Sequence, residues 1–191
     1  MNAQSQLVDL RSLGYTATEQ ALLLQRLVVR TVLGPWVVVG AATAGSSERW
    51  EALARVVGEE LPAHAVISDH TAAWVWVGGP APERVEYRVP RMHRESVLAQ
   101  LPCWGRDGVP PDSCVVRRGR LAVTDPLRTA VDLMADAARL ARADAVTLHR
   151  LIEPWGGLHR ALPPERTLEG LSPRRRGLAG RVWRELPQAF R

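Results

Sequence analysis

The sequence predicts an α+β chain, a mixed α/β fold in two unequal parts. Three observations carry this. The first forty residues run helix, turn, helix, β-hairpin, which is the order of a winged helix-turn-helix. The small-residue stretch "AATAGSS" then interrupts the pattern, and the remainder alternates short β-branched strands with capped helices. The expected boundaries are a winged-helix unit over 1–41, a linker over 42–47 and a larger mixed α/β domain over 48–191.

Each element has a local cause. "SQLVDLRSLG" reads as a short helix stopped by Gly14, and "TATEQALLLQRL" opens on Thr16 with Glu19 three residues later, a capping box. On that second helix Gln20, Leu23, Leu24, Leu27 and Val28 gather on one side, and Thr18, Glu19, Leu22, Gln25 and Arg26 on the other. "VVRTVL" and "WVVVG", divided by Gly34-Pro35, predict a hairpin. Ser47 is placed to cap a helix with a Trp50, Leu53, Ala54, Val57 and Leu61 stripe. "AVIS" is a short strand, and "SDHTAAWVWVGG" a capped helix closed at Gly78-Gly79. Trp74 and Trp76 sit two apart on it, so one is expected outside, marking a contact surface.

"ERVEYRVP" alternates strictly, which predicts a half-exposed strand with Val85, Tyr87 and Val89 inside and Arg84, Glu86 and Arg88 in solvent. Residues 102–119 should be loops with short strands such as "SCVVRR". In "VTDPLRTAVDLM", Asp125 is a good N-cap and Pro126 fits the first helical position. Leu127, Ala130, Val131, Met134 and Ala138 share one face, which leaves Arg128, Thr129 and Asp132 unexplained by amphipathicity. The last helix starts at Ser172-Pro173, with Leu178, Val182 and Leu186 as its expected apolar face.

At 191 residues and 46% apolar, the chain can bury a real core. Neither a membrane span nor a signal peptide is expected, so the default compartment is the cytoplasm. All 25 basic residues are arginine. That excludes a P-loop lysine, a Schiff-base lysine and a Glu-x-Lys nuclease pair. A net charge of +5 and a pI near 10.4 point to an acidic partner, nucleic acid first, against a merely solvated basic surface. Cys103 and Cys114 form no C-x-x-C, and no histidine stands at a zinc-ligand spacing from them. They read as buried free thiols, with no metal and no cofactor expected.

Two stretches together carry a resemblance. "ISDHTAAWVWVGG" holds Ser68, Thr71, Ala72, Ala73 and Gly78; "RLAVTDPLRTAVDL" holds Thr124, Arg128, Thr129, Asp132 and Leu133; the strand "VEYRVPR" lies between them. In this order they resemble the AbiEi-type antitoxins of type IV toxin–antitoxin systems, particularly the actinobacterial members, over roughly residues 15 to 150. The resemblance implies a DNA-binding winged helix, autoregulation of an operon, and a nucleotidyltransferase-like toxin encoded nearby that is opposed without a stable complex being required. It implies no catalytic residue. The rival readings are a protein-interaction module without specific DNA binding and a nuclease-related enzyme.

The resemblance also suggests that Ser68, Thr71, Thr124, Arg128, Thr129 and Asp132 are structural, with Arg128 and Asp132 tying their helix to its neighbours through buried hydrogen bonds. A solvated polar face is the competing assignment. For DNA reading the candidates are Thr18, Leu22, Gln25 and Arg26 on the second helix, with Arg11 and Arg30 on phosphates. A homodimer could form on the DNA. Secondary basic patches are Arg84, Arg88, Arg91, His93 and Arg94, and Arg174, Arg175, Arg176, Arg181 and Arg184. Three arginines in the last helix's first turn oppose its dipole, a small cost that a nearby anion would relieve.

Overall fold

The computed structural model describes residues 7–40, 43–58, 60–62, 64–90, 102–136, 142–156 and 163–186. Among these, seven α-helices and two sheets make a mixed α/β fold. The β-branched runs flanking Gly34-Pro35 pair as an antiparallel hairpin, β2 (Val29–Leu33) with β3 (Trp36–Val39). Residues expected to start the chain as a helix form instead strand β1 (Leu7–Asp9), which pairs antiparallel with β3, Leu7 opposite Val38. Without β1, β3 would be an open edge with unpaired backbone groups. Pairing also takes Leu7 into the core. The order is therefore strand, turn, helix, hairpin, with a single helix, α1 (Ala17–Gln25), between β1 and β2.

Helix α1 opens on the expected capping box, with the Thr16 hydroxyl accepting from the Glu19 amide and the Glu19 carboxylate accepting from the Thr16 amide. Helix α2 (Ser46–Val57) begins ahead of its predicted cap, with Gly45 rather than Ser47 at the N-cap and no side-chain bond there. Its stripe is buried at Trp50, Leu53 and Val57.

The second sheet holds β4 (Val66–Ile67), β5 (Val85–Val89), β6 (Cys103–Asp107), β7 (Val115–Arg118) and β8 (Leu121–Thr124) in the order β6-β5-β4-β8-β7. Pairings β5–β6 and β4–β8 are parallel, and β4–β5 and β7–β8 antiparallel. In β6, Gly105 stands opposite Tyr87, where an added Cβ would lie 2.9 Å from a ring carbon. Close packing of the Tyr87 ring requires glycine there. The remaining helices are α3 (Asp69–Val77), α4 (Pro126–Met134), α5 (Arg142–Ile152), α6 (Glu165–Leu168) and α7 (Pro173–Glu185).

One apolar cluster joins both sheets through α2: Leu7, Val32, Leu33 and Val38 pack with Trp50, Leu53 and Val56, and these with Ile67, Tyr87 and Val123. The expected linker therefore does not separate two independent cores, and residues 48–191 alone would expose the face of α2 that meets β1 and β2. A second cluster joins α3, α4, α5 and α7. Of the two tryptophans of α3, Trp74 is buried, and Trp76 meets Trp50 edge-on at 5.5 Å while its indole N–H donates to the Thr124 carbonyl at 2.7 Å. The two are not equally enclosed, as their spacing predicts: Trp76 stays half-buried, packed at the edge of both apolar clusters. On α7 the buried residues are Ala179, Trp183 and Leu186, so the inward stripe runs one position away from Leu178 and Val182, which are partly exposed. Cys114 is a buried thiol, and Cys103 is half-buried. Among the described residues no helix is long and apolar enough to cross a membrane.

Arg49 locks these parts together. Only 8% exposed, it donates from Nε to the Val75 carbonyl and from Nη2 to the Trp76 carbonyl, each at 3.1 Å, and from Nη1 to the Ala44 carbonyl. It thereby satisfies the C-terminal end of α3 from α2. Burial pulls its pKa below the ordinary arginine value. Gly78 leaves room for it, since a Cβ there would lie 3.1 Å from Arg49 Nη1. Replacing Arg49 by Met should lower stability by about 2–3 kcal/mol, because the bonds are charge-assisted and the carbonyls lose their donor. Arg181→Met, at an exposed site on α7, should change it by no more than about 0.5 kcal/mol. Denaturant midpoints of the two variants check this.

Candidate functional site

The most chemically dense region is where α3, β5, α4 and α7 meet. Strand β5 is buried at all five positions, which corrects the half-exposed assignment. Val85, Tyr87 and Val89 enter the apolar cluster on one face, as alternation predicts. The other face, with Glu86 (4% exposed) and Arg88 (2%), meets α3 and α4 rather than water. An alternating polar face looks the same in sequence whether its charges meet solvent or buried partners.

Arg88 is the hub. Its Nη2 lies 3.2 and 3.1 Å from the two carboxylate oxygens of Asp69 and 3.4 Å from Asp132 Oδ1. Burial opposes the Arg88 charge, but Asp132 and Asp69 outweigh it and hold its pKa above the usual arginine value. Asp132 Oδ2 accepts from Arg128 Nε at 3.2 Å, and Arg128 Nη1 donates to the Glu169 carbonyl at 2.7 Å. Arg175 Nη2 approaches Asp132 Oδ1 at 3.9 Å from α7. Ser68 Oγ donates to Asp69 Oδ2 at 2.7 Å. Asp69 takes φ of 54°, in the left-handed region, and the bonds to Arg88 and Ser68 hold it there.

All six residues singled out as a structural motif are sealed off: Ser68, Thr71, Thr124, Thr129 and Asp132 at 0% exposure and Arg128 at 1%. Thr71 Oγ1 accepts from the Glu86 amide at 2.9 Å and donates to the Arg84 carbonyl at 3.2 Å, pinning α3 to β5. Thr129 Oγ1 donates to the Asp125 carbonyl and pairs with Thr124 Oγ1, each at 2.7 Å, pinning α4 to β8. Asp125 caps α4 as its sequence position predicts, accepting from the Arg128 amide at 2.6 Å. Its pKa is raised by burial. Ser68 stands at the N-cap of α3 but makes no cap bond. Glu86 takes that role from β5, accepting from the His70 amide at 2.9 Å.

Sequence reasoning missed Asp69, Glu86 and His70. The His70 ring spans two carboxylates, with Nδ1 3.3 Å from Glu86 Oε2 and Nε2 3.7 Å from Asp144 Oδ1 of α5. It opens on a cleft of about 520 Å3 lined also by Pro82, Glu83, Arg84 and Pro102. Among the described residues no group of three His, Cys, Asp or Glu side chains is arranged to hold a metal ion.

The first basic patch does not assemble as expected. Arg88 is internal, and Arg84 lies 4.3 Å from the centre of the Trp104 ring, which Arg106 also approaches at 4.5 Å. Arg91, His93 and Arg94 lie outside the described residues. On α7, Arg174, Arg176, Arg181 and Arg184 are exposed, while Arg175 turns inward on the same stripe as Ala179 and Trp183. Of the DNA-reading candidates, Arg11, Thr18, Leu22, Gln25 and Arg26 are exposed, and no residue of α1 is buried. Arg30 is half-buried on β2.

Comparison of the chain with family models, with curated proteins and with solved structures finds no match. The geometry stands by itself: a closed ionic junction in the interior and an unburied helix beside a hairpin on the outside.

Asp132→Ala should destabilise the protein by about 3–5 kcal/mol, because two buried arginines lose their shared counter-charge. Asp112→Ala, whose ion pair with Arg117 is 89% exposed on the aspartate side, should change stability by no more than about 0.5 kcal/mol. Equilibrium unfolding of both variants measures the difference.

Proposed function

We propose that this chain is an antitoxin-like, DNA-binding transcriptional autoregulator that counteracts a nucleotidyltransferase-type toxin. On this reading α1 and the β2–β3 hairpin serve as recognition helix and wing. The supporting observation is the state of α1: its N-terminus is fixed by the Thr16–Glu19 box, yet none of its residues is fully buried, and Thr18, Leu22, Gln25 and Arg26 stand in solvent. A helix that packs on its own fold through the half-buried Leu23 leaves its exposed face available to a groove. Gln25 suits adenine, Arg26 guanine and Leu22 a thymine methyl, while Arg11 and Arg30 supply phosphate contacts. Action is by binding, in the cytoplasm, with no catalytic step, and the toxin is opposed functionally.

A second reading has its own observation. Leu13, Tyr15, Leu24, Leu27 and Val28 are also exposed around α1. So much apolar surface on a small unit favours a protein partner in place of DNA.

Mobility-shift titration against duplex from upstream of the chain's own gene separates the two. The regulator should prefer that duplex over random sequence, with affinity falling steeply between about 50 and 200 mM salt as counterions are released. Gln25→Ala with Arg26→Ala should remove the preference while the protein stays folded, each bidentate contact contributing about 1–3 kcal/mol of discrimination. Equal affinity for both duplexes would leave the interaction module as the better reading.

A further inference from the structure

We propose that the apolar side of α1 and the adjoining end of β3 form a self-association surface, through which two copies of this chain pair about a two-fold axis. DNA is not needed for the pairing. The inference rests on neither reading above, because Thr18, Gln25 and Arg26 lie round the helix from this side.

The end of α1 supplies the first observation. Its last turn closes with the Leu27 amide donating to the Leu24 carbonyl at 3.1 Å and the Val28 amide donating to the Leu23 carbonyl at 3.0 Å. This closure holds Leu27 at φ of 56°, in the left-handed region, where glycine is the favoured residue. A leucine there carries backbone strain, yet its side chain is 57% exposed. Glycine would avoid both costs, and burial against a second surface would offset them.

The second observation is how the sheet beside α1 is covered. Leu10, Val29 and Val37 form a small buried cluster against which Leu23 packs. Val39 stands opposite Val29 and two residues beyond Val37, so it shares their face, but it is 60% exposed. Val39, Leu24, Leu27 and Val28 therefore continue the cluster outward, and Leu13 and Tyr15 are exposed ahead of the helix. None of the six is charged. The charges at either end of α1, Glu19 and Arg26, project roughly 150° away from Leu24 round the helix.

These properties select a second copy as the occupant. At a two-fold contact each residue meets the same patch of the other copy, so a charged patch would repel itself. An uncharged patch on a chain of net charge +5 avoids that repulsion, and it offers an oppositely charged partner nothing to pair with. Two copies joined on these six side chains would bury on the order of 1,000 Å2 in total, about where a specific interface begins.

Sedimentation equilibrium of the full chain without DNA, from about 1 to 200 μM, reads the association by mass action. The proposal predicts a reversible rise from the monomer mass of 21.1 kDa toward twice that value. Leu27→Gly should weaken the dimer about tenfold or more. The Tm of that variant as a dilute monomer should stay close to the parent's, because glycine suits the left-handed backbone. Leu24→Gln should weaken the dimer likewise, and Val146→Thr, exposed on α5, should leave it unchanged. Dimers of Leu27→Gly and Leu24→Gln as tight as the parent's would overturn the proposal. So would a parent that stays monomeric throughout: the patch then belongs to DNA if Leu27→Gly weakens duplex binding, and to a different protein if it does not.

Discussion

A buried arginine cannot stand without a counter-charge, and Arg88 at 2% exposure has two, Asp69 and Asp132. That constraint organises the larger part of the molecule. Asp69 brings the N-terminus of α3, Asp132 brings the middle of α4, and β5 supplies the arginine in the interior of the sheet. Asp132 must in turn be shared with Arg128, whose other bond reaches the Glu169 carbonyl ahead of α7. The network is therefore closed only when α3, β5, α4 and the approach to α7 are all in place. Its value lies in specifying one arrangement, since apolar replacements of equal volume would match it in stability alone.

The consequence for function runs outward from this junction. Fixing α3 fixes the carbonyls of Val75 and Trp76 that Arg49 grips, and Arg49 fixes α2. Helix α2 carries the first sheet on its outer side through Leu7 of β1, Val32 and Leu33 of β2 and Val38 of β3. The sheet formed by β1, β2 and β3 is thus held by the main core, and only α1 hangs beyond it, contacting the small cluster of Leu10, Val29 and Val37 through Leu23. A hairpin held by the core beside an exposed helix is the arrangement on which the proposed groove-reading role rests. At the opposite end of the network, Arg175 reaches inward from α7 to within 3.9 Å of Asp132 Oδ1.

Features decided locally were legible in the sequence. Thr16 with Glu19, Asp125 with Pro126, and Ser172 with Pro173 mark helix starts because the bonds they make span three residues. The Gly34-Pro35 hairpin is local in the same sense. Features decided by distant partners were not. Leu7–Asp9 carries no strand signal of its own and becomes β1 because β3 offers an edge. Glu86 and Arg88 alternate with apolar residues as solvent-facing charges do, and only the arrival of α3 and α4 makes their face interior. Asp69 looked like an ordinary first-turn acid after a serine cap, and its left-handed backbone and its pairing with Arg88 have no sequence signature. Arg175 was grouped with its two neighbours as one exposed cluster, although its spacing of four from Ala179 and of eight from Trp183 places it on the buried stripe.

The most direct test of the central claim is a double-mutant cycle on Arg88 and Asp132, with Arg88→Met, Asp132→Leu and the double variant compared with the parent by equilibrium unfolding. Each single replacement strands the charges of the other partner, whereas the double replacement removes both at once. The account predicts that the double variant loses less stability than the two singles together, by about 1.5 kcal/mol or more. Additive losses, agreeing within about 0.5 kcal/mol, would contradict it and would mean that Arg88 and Asp132 are held in place by the fold without holding it.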